Sequence, residues 1–243
     1  MKPEDFIVPD WPVPPNVRAL VTTRAGGVST GPWAGLNLGD HVGDDPAAVA
    51  ENRRHLRAYL PAEPLWLRQV HGTRCVDAAW AAPDTEADAS FARRPDIVCA
   101  VLTADCLPVL LCDATGTVVA AAHAGWRGLA AGVIEATVRA MDVPGDRLVA
   151  WLGPAIGPEH FEVGGEVRAA FMAHDPAATA AFVARPDGKW LCDIYRLARQ
   201  RLAALGVRRV AGADFCTVRD AARFFSYRRD GVTGRLASLI WME

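Results

Sequence analysis

Three short segments carry the side chains best able to bind a soft or borderline metal. They are Arg68-Gln69-Val70-His71-Gly72, Thr103-Ala104-Asp105-Cys106-Leu107-Pro108 and Ala122-His123-Ala124-Gly125-Trp126-Arg127-Gly128. Each sets one ligand (imidazole, thiolate and imidazole in turn) beside small or turn-forming residues at the end of an apolar stretch. Two imidazoles and a thiolate make a tripod suited to zinc, and a fourth position left open marks a catalytic rather than a structural site. Taken singly, a cysteine after an apolar run reads as a small buried hydrophobe, and a histidine beside glycine as a turn residue. Their recurrence at three equivalent strand ends raises a shared metal to equal standing with those plainer readings.

The neighbours of these residues add candidate roles. Asp105 precedes Cys106 and reads as an acceptor that orients a ligand imidazole, as an acid/base for substrate, or as a turn cap. Arg127 and Gly128 open a helix after Gly125, where a guanidinium and backbone amides make an anion pocket, phosphate above all; simple helix capping is the plainer reading. The segment Phe224-Phe225-Ser226-Tyr227-Arg228-Arg229 mixes aromatics and guanidiniums, able to stack a purine and grip an oxyanion or simply to pack a C-terminal segment. There is no HExxH, no HxE with PCxxC, no GxSxG, no P-loop and no GxGxxG. Those absences remove the commonest hydrolase, kinase and dehydrogenase readings.

The elements that must position these residues alternate along the chain. Strands are expected at Val17–Thr23, Leu65–Val70, Ile97–Thr103, Pro108–Asp113, Thr117–His123, Leu148–Leu152, Val207–Ala213 and Arg235–Met242. The central apolar runs are long enough for strands buried on both faces. Helices are expected from Pro46, capped by Asp45, to Leu60, and at Gly128–Met141, Gly165–His174, Pro176–Ala184 and Ile194–Leu205. Gly153–Pro158 reads as a rigid loop. The interleaving gives an α/β or α+β class around a mixed sheet, as one domain over residues 1–243, since no linker composition divides the chain.

An apolar fraction of 51% and a charged fraction of 22% are those of an ordinary globular protein. The net charge of -2 offers no footprint for nucleic acid or an anionic membrane. Met1-Lys2-Pro3-Glu4-Asp5 lacks the pattern of a secretion signal, and the apolar run Ile97 to Cys112 is too short to span a bilayer. The six cysteines include no CxxC pair and read as free thiols of a soluble, cytoplasmic protein.

Together with Thr22-Thr23-Arg24-Ala25-Gly26-Gly27-Val28-Ser29, Leu36-Asn37-Leu38-Gly39, Val42-Gly43-Asp44-Asp45, Gly153-Pro154-Ala155-Ile156-Gly157 and Phe224 to Asp230, the three opening segments resemble the YfiH family from about Thr22 to Trp241. That family was long labelled polyphenol oxidase or multicopper laccase-like, and it includes the mammalian immunometabolic enzyme FAMIN. The resemblance implies an α/β sandwich with a mixed β-sheet core flanked by helices, similar to the cytotoxic-necrotizing-factor-like catalytic domain that deamidates glutamine with a Cys–His pair. It also implies a zinc enzyme that phosphorolyses adenosine, inosine, guanosine and methylthioadenosine and deaminates adenosine. The family's zinc ligands fall on His71, Cys106 and His123.

On this reading His71, Cys106, His123 and Asp105 are the catalytic set, with purine nucleoside and phosphate as the small-molecule partners. Arg127 and Gly128 are expected to hold phosphate, with Arg24 or Arg229 as alternatives. Three other readings compete. Copper in place of zinc would give a laccase-like polyphenol oxidase, although six histidines in the chain leave almost none for a trinuclear copper cluster beside this site. A metal-free Cys106 activated by His71 or His123 would give an amidase. A fourth protein ligand would make the zinc structural, in a peptidoglycan-editing accessory protein.

Overall fold

The computed structural model describes residues 2–243; Met1, the first residue of the N-terminal segment read above, lies outside them. The first half of the chain supplies strands β1 (Phe6–Ile7), β2 (Val17–Thr22), β3 (Cys75–Asp77), β4 (Ala89–Ala92), β5 (Cys99–Thr103), β6 (Leu107–Asp113) and β7 (Val119–Ala124), with helix α1 (Pro46–Arg57) between β2 and β3. Helices α2 (Trp126–Ala131) and α3 (Val133–Met141) follow, then β8 (Leu148–Leu152), β9 (Glu162–Val163), α4 (Gly165–His174), β10 (Phe182–Ala184), β11 (Trp190–Cys192) and α5 (Ile194–Ala204). The chain closes with β12 (Arg209–Gly212), the single turn α6 (Tyr227–Asp230) and β13 (Leu236–Met242).

Two sheets face each other. One has four strands in the order β1-β2-β13-β5 and the other six in the order β12-β8-β6-β7-β4-β3. The six-stranded sheet is antiparallel at its centre and parallel at its edges, where β12 joins β8 and β3 joins β4. Alternation along each strand builds the layers. Val17, Val21, Cys99, Val101 and Ile240 meet Leu110, Cys112, Val119, Ala121 and Trp151 between the sheets. The opposite face of the six-stranded sheet, with Leu107, Val109, Leu111, Ala120 and Ala122, is covered by α2, α3 and α5 through Leu129, Val133, Ile134, Leu197 and Leu202. The outer face of the four-stranded sheet packs Leu20, Leu102, Leu239 and Trp241 on Leu36, Leu38, Leu56 and Leu60. The result is a mixed α/β sandwich, and β6, β7 and β13 are buried at every position.

Several elements differ from the sequence expectation. Leu65–Val70 forms no regular strand: it makes isolated bridges at Leu65–Cys99 and Arg68–Glu86. The Gln69 side chain meanwhile bonds both the N–H and the carbonyl of Leu102, standing in for a backbone pair. The helix expected over 128–141 begins at Trp126 and is broken at Gly132, whose φ of 103° is a left-handed value that glycine adopts without steric cost. Residues 176–184 are a 3-10 helix, Pro176–Ala181, followed by strand β10, because Phe182–Ala184 pair with β11. Strands β3 and β4 were not expected. Among the described residues no helix is long and apolar enough to cross a membrane, and all six cysteines are free thiols.

Candidate active site

Sheet register builds the site. Pro108 of β6 pairs with His123 of β7, and Leu107 with Ala124, so Cys106, one residue ahead of β6, reaches the same rim as His123. On the other side of β7, Ala89 pairs with Ala122. One step along that ladder lies Asp88, whose carbonyl accepts the His123 N–H at 2.7 Å. His71 enters from the loop after the Gln69 anchor with φ 60°, a left-handed conformation rare for a non-glycine residue. Ligand atoms of His71, Cys106 and His123 all lie within 4.8 Å of one another. His71 Nε2 is 3.7 Å from Cys106 Sγ, and the two imidazoles meet edge to face at 4.7 Å.

A carboxylate absent from the sequence reading holds this cluster. Asp88 is fully buried and accepts the backbone N–H groups of Val70 (3.2 Å), His71 (2.9 Å) and Gly72 (2.7 Å), together with His123 Nδ1 at 2.8 Å. An ionised carboxylate only accepts, so His123 carries a proton on Nδ1 and leaves Nε2 for the cluster. Burial pushes the Asp88 carboxyl up, but His123 and the loop amides outweigh it and hold it below the ordinary range. Burial likewise opposes the Cys106 thiolate, and the adjacent His123 and His71 overcome it, bringing the thiol well below its usual value. Burial disfavours the charged form of His123, yet the Cys106 sulfur and Asp88 raise it above an ordinary histidine.

The donor set fits a metal ion. Two imidazoles and one easily ionised thiol converge, and Gly125 leaves the space beside them open: a Cβ there would lie 2.8 Å from both Cys106 Sγ and His71 Cδ2. Among the described residues this is the one group of three or more His, Cys, Asp or Glu side chains placed to share an ion. The three side chains are placed so that they could hold a metal ion through histidine and cysteine donors.

The cluster lies in a cleft of about 560 Å³ lined by Trp126, Phe161 and Tyr227, by Arg127, Arg228 and Arg235, and by His41, Gln69, Asp105 and Ile156 among others. A model of the family described as multi-copper polyphenol oxidoreductase laccase matches residues 18–243. The chain is 59% identical over 239 residues to a Pseudomonas aeruginosa protein named purine nucleoside phosphorylase, with 98% of each chain covered. It is 56% identical to the purine nucleoside phosphorylase YfiH of Escherichia coli, again over 98% of each. The chain belongs to the YfiH family. Among solved structures, a Neisseria meningitidis protein superposes with a TM-score of 0.95 at 52% identity, covering 98% of this chain and 99% of that one. YlmD from Geobacillus stearothermophilus superposes with 0.87 at 30% identity, covering 94% and 93%.

The structure sorts the other residues singled out from this YfiH-family sequence. Arg127 lines the cleft, exposed, its guanidinium 4.4 Å above the Trp126 ring and without hydrogen bond or ion pair to any described residue. Gly128 is buried at a close approach, where a Cβ would meet the Gly72 carbonyl oxygen at 2.8 Å. It lets α2 pack on the His71 loop rather than facing the cleft. Arg24 and Arg229 do not line the cleft. Arg24 bonds the carbonyls of Ala221 and Ala34 and stacks on Phe225. Arg229 is spent on the carbonyls of Thr217, Val218 and Phe224 and on Asp230.

Asp105 sits on the cleft wall with φ 94°. Its carboxylate accepts the Thr217 hydroxyl and, at 2.6 Å, the N–H of Arg228. Its carbonyl accepts the N–H of Ile156 at 2.9 Å. Asp88, not Asp105, contacts a cluster imidazole. The aromatic-basic tail divides as well: Phe224 and Phe225 are fully buried, whereas Tyr227 is 62% exposed and, with Arg228, faces the cleft. His41 was missed as a site residue, and only its place next to Leu36-Asn37-Leu38-Gly39 hinted at it. Burial and the neighbouring Arg235 lower its pKa, which favours the neutral imidazole.

Proposed function

We propose that this chain is a zinc-dependent purine nucleoside phosphorylase acting on adenosine, inosine, guanosine and methylthioadenosine, with adenosine deaminase activity in the same cleft. One observation carries the reading: a His-Cys-His cluster at the base of a cleft walled by aromatic rings and an unpaired guanidinium, in a chain more than half identical throughout its length to proteins named purine nucleoside phosphorylase. His71, Cys106 and His123 would hold the zinc, which when bound supplies Lewis acidity to an oxygen nucleophile at neutral pH.

The chain's own residues bind and orient. Trp126, Phe161 and Tyr227 offer flat apolar surfaces for a purine and sugar. Arg127, its donors unclaimed by the protein, is placed to take phosphate in a bidentate grip. In phosphorolysis a phosphate oxygen forms a bond to the anomeric carbon as the bond to the purine nitrogen breaks, and the departing purine takes that electron pair and a proton. The neutral imidazole of His41, beside Asp40 at 3.4 Å, is our assignment for moving protons at the cleft wall. Asp105, committed to Thr217 and Arg228, holds that wall in shape. Copper at the same three donors would support phenol oxidation. A four-copper oxidase would need further clustered ligands, and among the described residues no second group of three is present.

The test is incubation of zinc-loaded protein with adenosine, with and without phosphate, beside a Cys106→Ala control. Phosphate-dependent adenine and phosphate-independent inosine, both lost in the control, are the expected products. Folded, zinc-replete protein that turns over neither reaction would reject the assignment.

A further inference from the structure

A second cleft, of about 540 Å³, opens on the far side of the 153–158 loop and contains a cysteine–histidine pair that the phosphorylase reading does not use. Cys216 is 5% exposed on its wall. Its Sγ lies 3.5 Å from His160 Nδ1 and receives the backbone N–H groups of Gly157 at 3.3 Å and Arg219 at 3.5 Å. Two amide dipoles and an imidazole therefore converge on one sulfur, the surroundings that make a thiol reactive rather than inert. Cys75, Cys99, Cys112 and Cys192 line neither cleft, and burial is the chief cause that pushes those four thiols up to about 12. The cleft does not select for charge: Arg196, Arg199 and Arg219 are matched by Glu159, Asp193 and Asp214. A small neutral reagent suits it better than an anionic or cationic one.

We infer that Cys216, paired with His160, is an oxidation site for hydrogen peroxide, and that its oxidation loosens the wall of the nucleoside cleft. In the step, His160 Nδ1 takes the thiol proton and the sulfur attacks one peroxide oxygen. The S–O bond forms as the O–O bond breaks, and the departing hydroxide takes the proton from His160 to leave as water. Sulfur is oxidised by two electrons to the sulfenic acid, and the peroxide is reduced.

The route to the main cleft is short. A Cβ on Gly157 would sit 3.0 Å from both Cβ and Sγ of Cys216, so an added oxygen has no room on that side. The next residue, Thr217, gives its N–H to the Ala155 carbonyl at 3.0 Å and its hydroxyl to Asp105. Both partners support the wall beside Cys106.

The experiment treats the metal-loaded protein with hydrogen peroxide, traps sulfenic acid with dimedone and maps label by peptide mass spectrometry, which separates Cys216 from Cys106. Cys216 is expected to label roughly tenfold or more faster than Cys75, Cys99, Cys112 and Cys192, and His160→Asn to slow it several-fold. Labelling of Cys216 no faster than those four in folded protein would overturn the assignment, and that comparison needs no variant. Hydrogen–deuterium exchange tests the second half. The amides of Ile156, Thr217 and Arg228, which donate to Asp105 and Ala155 on the nucleoside-cleft wall, are expected to exchange faster after oxidation, and label on Cys216 with unchanged exchange there would overturn the coupling.

Discussion

Replacing Asp88 by asparagine changes one atom of a buried side chain and tests most of the site's logic. The two carboxylate oxygens accept four hydrogen bonds, from the amides of residues 70–72 and from His123 Nδ1. An asparagine has one oxygen, so its NH2 must face either the amides of Val70 and Gly72 or the donors on the other side. In the first orientation two part-buried N–H groups lose their acceptor, at up to roughly 1–3 kcal/mol each, and the His71 loop detaches. In the second, His71 N–H loses its acceptor and the His123 ring must turn its protonated nitrogen toward the cluster, removing a metal ligand. The fold should weaken by at most about 2–6 kcal/mol in the first orientation and about 1–3 kcal/mol in the second, and metal affinity should fall about 10–100-fold, as for other partners that orient a ligand imidazole. Urea unfolding of metal-free protein reads the first quantity and competition with a chromogenic zinc chelator the second. An Asp88→Asn protein with unchanged urea midpoint and zinc affinity within twofold of the parent would refute the claim that Asp88 holds the cluster.

Gly125→Ala should fold, since φ -59° and ψ 156° suit alanine, yet its methyl group meets Cys106 and His71. Metal affinity by chelator competition should drop roughly tenfold or more, with the melting temperature of metal-free protein little changed. Arg127→Ala removes an exposed guanidinium that has no hydrogen bond or ion pair to a described residue, only the Trp126 ring beneath it, so phosphorolysis should fall while adenosine deamination persists; equal loss of both rates would remove Arg127 from phosphate binding. Thr217→Val takes the hydroxyl from Asp105 and should raise the nucleoside KM while zinc content, measured by mass spectrometry, stays at the parent level. Asp113 is held down to about 2, because the Thr115 hydroxyl and the amides of Thr115, Thr117 and Val118 outweigh its burial. A carboxyl lowered from about 3.9 contributes about 2–3 kcal/mol of stability above pH 4, which fades as pH falls toward 2. The urea-midpoint gap between parent and Asp113→Asn should therefore narrow below pH 4, and a gap independent of pH would contradict this.

The central strands were readable because burial on both faces leaves an unbroken apolar run, as in Leu107–Cys112. Cys106 and His123 stood out because they lie at the ends of such runs, whereas the stretch before His71 is interrupted by Arg68 and Gln69 and forms only isolated bridges. Strand β4, Ala-Ser-Phe-Ala, has no β-branched residue and is extended because it pairs with β7, a partner about thirty residues away. The Pro176 segment starts as a helix, with Asp175 capping Ala177, until pairing with β11 overrides its local preference for helix. Asp88 had the weakest signal of all, a lone carboxylate between alanines. What commits it is the loop at 70–72 and the imidazole at 123, and no local pattern encodes those distances. Arg24 and Arg229 misled for the opposite reason: a guanidinium in a conspicuous motif looks like a substrate clamp until the carbonyls that consume it are visible.

Asp88 and Asp105 are two buried carboxylates that tie together different parts of the chain. Asp88 joins only residues between 70 and 123, where all three candidate ligands lie. Asp105 reaches to Thr217 and to Arg228 of the cleft lining, both in segments more than a hundred residues downstream. The candidate metal cluster and the far side of the cleft thus lean on different carboxylates. Changes in the C-terminal third can reshape what enters the cleft while the ion's socket stays as it was.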